Sequence, residues 1–318
     1  MFDTIFKKLS RGLVMAVCFW LPEEKKIHLE RWLRGRSEYR ELRRDDVVVA
    51  AFGKSGRTWL RVLLSRVYFL THGVSESQLL SFGRSSRRDP TRPSIFFTHD
   101  NYIKDYTGNT DSKADFYDRR VLLLVRDPRD VTVSQYFQWK HRMKRKKTRV
   151  NHYPPKGTDV SIYDFLMNPR YGMVRCIDFL NLWASDMNQI ADLLIVRYED
   201  LRKEPVKVLS EIVAFLGTAA PPEVIEQAVE HASVENMRKL ESTNTSILAG
   251  GRMKPGNPDN ADSFKVRRAK VGGYRDYLSD EEVARVDAYV EKHLRPEFGY
   301  TGDRAVPGEI ASTPLQRS

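Results

Sequence analysis

Hydrophobic and polar positions divide the chain into short apolar runs and longer amphipathic stretches. Residues 47–52, 121–125 and 193–196 are continuous apolar runs rich in Val, Ile and Leu, each giving way to polar residues at its carboxyl end. Such runs predict strands buried on both faces. Helical periodicity covers residues 58–70, 131–140, 171–191 and 205–216. Strands alternating with helices predict an α/β fold: a single domain whose central parallel β-sheet is flanked by helices. Ligands of such sheets bind beyond the carboxyl ends of the strands, which nominates residues 53–59, 126–130 and 198–200.

The ends of the chain read differently from its middle. The expected layout is an N-terminal helical extension over 1–45, the α/β domain over 46–300 and a disordered tail over 301–318. Residues 241–263, dense in Gly, Pro, Asn and Ser, predict a mobile loop. Phe2, Ile5, Phe6, Leu9, Leu13 and Val17 fall near one helical face, with Lys7, Lys8 and Arg11 beside it. The segment lacks a small-x-small cleavage site, and no apolar run approaches the roughly 20 residues of a membrane span. Two readings stay open: a helix lying on a membrane surface, or a helix docked on the core.

Composition narrows the class of partner. The 318 residues are 41% hydrophobic and 30% charged, which is ordinary for a globular chain, but the formal charge is +11. That excess predicts an anionic partner: a nucleotide, an acidic glycan, a membrane surface or nucleic acid. The run KHRMKRKKTR over 140–149 carries much of it, either as a solvated loop or as a dock for acidic glycan or anionic lipid. No nucleic-acid recognition motif accompanies the run and aromatic residues do not interleave with it, which argues against nucleic acid. Cys18 and Cys176 are the only cysteines, with no CxxC and no metal-ligand spacing. A reducing cytoplasm fits, with peripheral contact at the inner membrane surface as its extension.

The stretch VVVAAFGKSGRTWLR, from 47 to 61, runs from a strand into a glycine-bracketed lysine and then a helix. Loop amides and a helix N-terminus aimed at one point make an anion site. Lys54 adds a charge, Ser55 and Thr58 add hydroxyls, and Arg57 adds a bidentate donor. A Walker A loop is G-x-x-x-x-G-K-[ST], and its first glycine is Val48 here. In VLLLVRDPRDVTVSQYF, Arg126 at the strand end and Ser134 on the following helix converge on a second phosphate. Read alone, that turn serves equally as a structural Arg–Asp pair.

Gly53-Lys54-Ser55-Gly56-Arg57-Thr58-Trp59 resembles the 5′-phosphosulfate loop, PKSGTTW, of sulfotransferases that use 3′-phosphoadenosine-5′-phosphosulfate (PAPS). Arg126-Asp127-Pro128-Arg129-Asp130 with Ser134 resembles their 3′-phosphate motif, RNPKDxxxS. RYEDL at 197–201, HASVENM at 231–237 and RRAKVGGYR at 267–275 are similar to three further family segments. The resemblance spans about 47–294 and implies a P-loop-like fold and the PAPS-dependent transfer of a sulfuryl group to an acceptor hydroxyl, without a metal. It assigns Lys54, Ser55, Gly56, Arg57, Thr58 and Trp59 to the 5′ side and adenine. Arg126, Ser134, Arg267 and Arg268 would clamp the 3′-phosphate, and Tyr198 and Ser233 would approach adenine. The product would be adenosine 3′,5′-bisphosphate.

The family's proton acceptor is a histidine in a KTH-like motif after a second strand. SIFFTHDNY offers His99 at the end of such a strand, with an imidazole whose unperturbed pKa of about 6.5 suits general-base work. His99 would take the acceptor proton while Lys54 stabilises charge on the leaving phosphate. Four departures stand out: Phe97 in place of the motif lysine, Arg57 in place of a loop threonine, Val234 in place of an adenine-stacking aromatic, and Gly273-Tyr274 where Asp-Trp is usual. The basic run and the N-terminal face tilt the acceptor towards a glycan or glycolipid. The rivals are a P-loop kinase using ATP and magnesium, and a non-catalytic protein that binds polyanions or membranes.

Overall fold

A computed structural model describes residues 12–74, 91–242, 256–257 and 260–302. Four strands, β1 (Val47–Ala50), β2 (Ile95–Thr98), β3 (Arg120–Val125) and β4 (Asp192–Arg197), form one sheet in the order β2-β1-β3-β4. Every pairing is parallel, with Ala50 level with Thr98 on one side and Leu123 on the other, and Val125 level with Arg197. The carboxyl ends therefore share one edge. The chain leaves β1 for β2 on one side and later returns to β3 on the other, so the crevice where strand order reverses adjoins β1.

Strand pleating explains why apolar runs mark this sheet. Val48, Ala50, Val121, Leu123 and Val125 point into one core; Val47, Val49, Ala51, Leu122 and Leu124 point into the other. The second core is closed by α2 (Arg57–His72), α9 (Pro205–Phe215) and α10 (Pro222–His231), through residues such as Leu60, Leu63, Leu209, Ile212 and Ile225. The first is closed by α4 (Pro128–Phe137), α7 (Met173–Asp186) and α12 (Asp280–His293), through Val131, Ile177, Leu180, Trp183 and Val286. The expected parallel sheet covered on both faces is what forms.

Several elements carry no strong sequence signal. Helix α1 (Glu23–Leu42) falls within the stretch expected to be an extension, yet it packs on α3 (Ile103–Thr107). Gly35 allows that approach, since a Cβ there would lie 2.1 Å from the Tyr102 carbonyl oxygen. Arg31 secures it through a 2.8 Å ion pair with Asp105. Helices α5 (Arg145–Val150), α6 (Ile162–Met167), α8 (Tyr198–Lys203) and α11 (Val234–Ser242) are also additions to the expected set. The basic run is helical, not a loop: a π-helical turn over Gln138–Arg142 continues α4 and α5 follows it, with Met143, Thr148 and Val150 buried and most of the cations exposed.

Most of the stretch expected as a mobile loop, and the tail from 303, lie outside the described residues. Its two ends are anchored. Glu241 is 1% exposed and accepts from Arg142 at 2.6 Å, and Ser263 is likewise buried. At the N-terminus, Phe2, Ile5, Phe6 and Leu9 lie outside the described residues, whereas Leu13 and Val17 are exposed on a helical turn over 12–17. The docked alternative does not hold for those two side chains.

The Arg-Asp-Pro-Arg-Asp turn ties the carboxyl edge of the sheet together. Asp127 caps α4 by accepting from the Arg129 amide at 2.9 Å, and Pro128 supplies its first residue. Arg129 bridges Asp127 and Asp287, each at 2.7 Å. Asp130, 4% exposed, accepts from the amides of Gly272 at 2.9 Å and Tyr274 at 3.0 Å, and from Arg126 at 3.4 Å. Replacing Asp130 by Ala leaves those donors without their acceptor. Removing one member of a buried charged network costs about 3 kcal/mol. Urea unfolding of Asp130→Ala should lose about that much stability; a loss below about 0.5 kcal/mol would show that the 270–275 segment is held some other way.

Candidate active site

Beyond β1 the chain makes a tight loop. Lys54 has φ 80° and Gly56 φ 97°, both left-handed, and the Ser55 amide between them closes back on the Phe52 carbonyl at 3.3 Å. Left-handed residues in so short a turn gather successive amides on one side, forming an anion-binding concavity. Helix α2 starts at Arg57 with Gly56 as its N-cap and no side-chain cap, leaving its first amides available to a ligand. Gly56 is required for space as well as for φ, since a Cβ would come within 2.6 Å of Tyr198 Cδ2.

The loop opens on a cavity of about 520 Å³. Lys54, Gly56, Arg57, Thr58, Trp59, Arg126, Ser134, Tyr198, Arg267, Arg268 and His99 all line it, so most of the nominated residues are brought together. Ser55 and Ser233 are not in its wall. Ser55 is 1% exposed, and the Ser233 hydroxyl accepts from the Asn236 amide at 3.3 Å, at the start of α11.

On one side of the loop the cations are dense. Arg126 lies over the Tyr198 ring at 4.2 Å, and its Nε is buried with no hydrogen-bond partner among the described residues. Arg267 sits over Phe137 at 3.6 Å, and Arg268 pairs with Asp276 at the rim at 3.0 Å. Burial, reinforced by Arg142, Arg126 and Arg267, pushes the Lys54 ammonium down to about 7, with Glu241 opposing. A site that resists holding its own protons in this way has room for a polyanion, which is the fit a phosphosulfate nucleotide requires. Nearby, Trp59 donates its Nε1 hydrogen to the Ala232 carbonyl at 2.8 Å and meets Tyr198 edge-on at 5.9 Å. Val234 and Met237 complete this apolar wall.

His99 occupies the other side, just past β2. Its Nδ1 lies 2.9 Å from the Ala51 carbonyl oxygen, which accepts the Nδ1 hydrogen and leaves Nε2 as the ring's acceptor. The Arg57 guanidinium donates to that Nε2. Burial, with Arg57, Lys147 and Arg61, holds the imidazole well below its usual range, against the opposing Ala51 bond. The ring is therefore neutral at physiological pH, more firmly than an unperturbed histidine would be. One turn away, Thr98 donates to Glu38 at 3.0 Å, and burial raises that carboxyl to about 7.

The charge removed with the motif lysine at Phe97 returns from a neighbouring helix: the Arg61 guanidinium lies 3.9 Å from the Phe97 ring centroid. Arg61, Arg142, Lys147, Arg175, Lys265 and Lys270 also line the cavity and were not singled out by sequence. Two of them belong to the basic run, where Arg142, Met143 and Lys147 face inwards at nearly helical spacing. Arg175 projects from an amphipathic helix whose polar positions give no sign of what they face.

The profile of the sulfotransferase domain matches residues 44–297. Among curated proteins, a rabbit (Oryctolagus cuniculus) amine sulfotransferase is 22% identical over 80% of this chain and 82% of its own length. Human sulfotransferase 2A1 is 25% identical over 65% and 72%, and cytosolic sulfotransferase 17 of Arabidopsis thaliana is 24% identical over 87% and 81%. Mouse sulfotransferase SULT7A1, solved with PAP, superposes with a TM-score of 0.53 at 19% identity, covering 79% of this chain and 85% of that one. A retinol dehydratase solved with retinol and PAP gives 0.55 at 19% identity, covering 79% and 81%. These structures share the fold. The match across 44–297, which takes in residues 53–59 and 126–134, sets aside the kinase and the non-catalytic alternatives: the chain belongs to the sulfotransferase family.

Proposed function

We propose that this sulfotransferase takes its sulfuryl group from PAPS and passes it to the hydroxyl of a glycan or glycolipid, with His99 as the general base. The observation that carries the reading is the meeting of Lys54 and His99 on one cavity, beyond adjacent parallel strands. Loop amides 53–58 and Lys54 receive the 5′-phosphosulfate, Arg126, Ser134, Arg267 and Arg268 the 3′-phosphate, and Trp59 and Tyr198 the adenine. Ser55 contributes through its backbone, since its side chain is buried.

His99 Nε2 accepts the acceptor's proton as the acceptor oxygen forms its bond to sulfur. The bond from sulfur to the bridging 5′-phosphate oxygen breaks, and its electron pair departs with adenosine 3′,5′-bisphosphate. Lys54 stabilises the charge on that oxygen. Arg57, which donates to Nε2, turns to the sulfuryl oxygens as the donor binds and frees the base.

Membrane contact supports a glycolipid acceptor. Leu13, Val17, Phe19 and Trp20 are exposed, and Phe19 lines a cleft with Lys26, Arg145, Lys146 and Arg149, which stays net positive after Lys146 pairs with Glu30 and Arg149 with Glu23. Apolar side chains next to cations suit the headgroup region of an anionic bilayer. Among the described residues no helix is long and apolar enough to cross a membrane.

Three measurements check these roles. With Lys54 at about 7 in the free protein, a bound polyanion raises it, so binding takes up a proton above pH 7 and affinity falls as pH rises. Calorimetry of adenosine 3′,5′-bisphosphate in buffers of different ionisation enthalpy should detect this uptake at pH 8, and Lys54→Met should abolish it; uptake unchanged in the variant would remove Lys54 from the site. His99→Ala should lower kcat by roughly 10²–10⁴-fold with bisphosphate affinity retained, and the wild-type rate should have no acid limb near 6.5. Full activity in His99→Ala contradicts its role as base. Vesicles containing phosphatidylserine should sediment the protein, and Phe19→Ser/Trp20→Ser should weaken this at least about fivefold. Equal sedimentation of the two proteins counts against the membrane contact.

A further inference from the structure

The cavity is more cationic than a single nucleotide explains. Its described lining includes twelve lysines and arginines and one carboxylate, Asp130, which is already engaged with Arg126. The donor of the proposed reaction carries roughly four negative charges, since a phosphate monoester contributes about 1.5 to 2. Cations near Lys54, namely Arg126, Arg142 and Arg267, act on that end. A second group acts on His99: Arg57, Lys147 and Arg61. Arg57 belongs to the donor's loop, but Arg61 and Lys147 line the cavity at its His99 end from α2 and α5, and the donor's phosphates do not account for them.

The His99 end is assembled from separate elements. Arg61 comes from α2 and rests on Phe97, two residues before His99. Arg175 comes from α7, and its Nη2 donates at 3.3 Å to Asn101 Oδ1, two residues after His99. Lys147 comes from α5 and lines the cavity near Arg57, Arg34 and Glu38. Glu38, which accepts from Thr98 at 3.0 Å, is one carboxyl against Arg57, Arg61, Lys147 and Arg175, so this end stays net positive. The remaining polar groups of this end are neutral: Tyr153, whose hydroxyl accepts from Gln135, and Asn151, which accepts from Tyr102 at 3.0 Å. A pocket for a neutral phenol or sterol would be walled mostly by apolar side chains. Here three converging cations face the position of the acceptor.

Resting on the sulfuryl-transfer reading, we propose that the His99 end of the cavity is an anion subsite, so that the acceptor bears a carboxylate, sulfate or phosphate held by Arg61, Lys147 and Arg175, besides the hydroxyl presented to His99. Helix α5 joins this subsite to the N-terminal surface: Lys147 faces the cavity, while Arg145, Lys146 and Arg149 face the cleft with Phe19. An acidic glycan carried on a lipid would meet both.

The test is made on the full chain saturated with adenosine 3′,5′-bisphosphate, so that added anions cannot occupy the donor side. Calorimetry compares methyl β-glucoside with methyl β-glucuronide, glucose 6-sulfate and glucose 6-phosphate, which share hydroxyls and differ in the anion. At least one anionic sugar should bind about tenfold or more tightly than the glucoside, and the ranking of the three tells which anion is preferred. Lys147→Gln and Arg175→Gln should each reduce that advantage at least about fivefold while bisphosphate affinity stays within about twofold. Anionic sugars binding no better than the glucoside, to protein that still binds the bisphosphate, overturn the subsite alone. Failure to bind the bisphosphate overturns the donor reading and this inference with it.

Discussion

The carboxylate of Asp130 is the constraint on which the site depends. It is buried, it lies one turn into α4, and it gathers the amides of Gly272 and Tyr274 together with the Arg126 guanidinium. Burial raises its pKa, and Arg126 and the two amides oppose that shift. This link holds the 272–274 part of the segment that brings Arg267 and Arg268 to the cavity, while Glu241, through the Val266 amide, and Arg238, through the Arg267 carbonyl, hold its earlier part. The same turn sends Asp127 and Arg129 to other duties: the Asp127 amide donates to Glu199 at 3.1 Å, and Glu199 accepts from Tyr300 at 2.8 Å. A motif of five residues thus offers one side chain, Arg126, to the ligand and uses its other charges to hold three distant segments together.

The parallel sheet was legible because strands buried on both faces must be continuously apolar, and the edge where they end had to hold the ligand. Arg126, Tyr198 and His99 were readable for the same reason, since each directly follows a strand, and Lys54 sits in the short loop after β1. What escaped the sequence is what reaches the cavity from the sides. Arg61 is buried in an amphipathic helix as one more polar position, and only packing puts it on Phe97. Lys147 and Arg142 were visible within the basic run, but a charge run looks the same whether it faces water or a cavity. Ser55 and Ser233 differ from the other nominated residues: the Ser55 side chain is buried in the loop, and the Ser233 hydroxyl accepts from the Asn236 amide at the start of α11. Helix α1 was hidden by its composition: its polar faces are consumed by Arg31–Asp105 and Arg34–Glu30 pairs, not by an apolar stripe.

Arg57 is the residue through which this chain most alters the common loop. A threonine there would offer a hydroxyl; the guanidinium instead occupies the lone pair of the proposed base and lowers its proton affinity. Burial, reinforced by Arg142, Arg126 and Arg267, depresses Lys54 at the other end of the loop. Both shifts are relieved by anions, so an anionic donor and an anionic acceptor would each stabilise the charged, catalytically organised cavity. Binding energy from one would then be felt by the other through the shared field.

The most direct measurement is a crystal structure of the protein with adenosine 3′,5′-bisphosphate. The account predicts the 5′-phosphate on the amides of residues 53–58 with Lys54 beside it, the 3′-phosphate on Arg126 and Ser134, the adenine against Trp59 and Tyr198, and Arg57 withdrawn from His99. A nucleotide bound in the reverse sense, or outside the cavity, would contradict it.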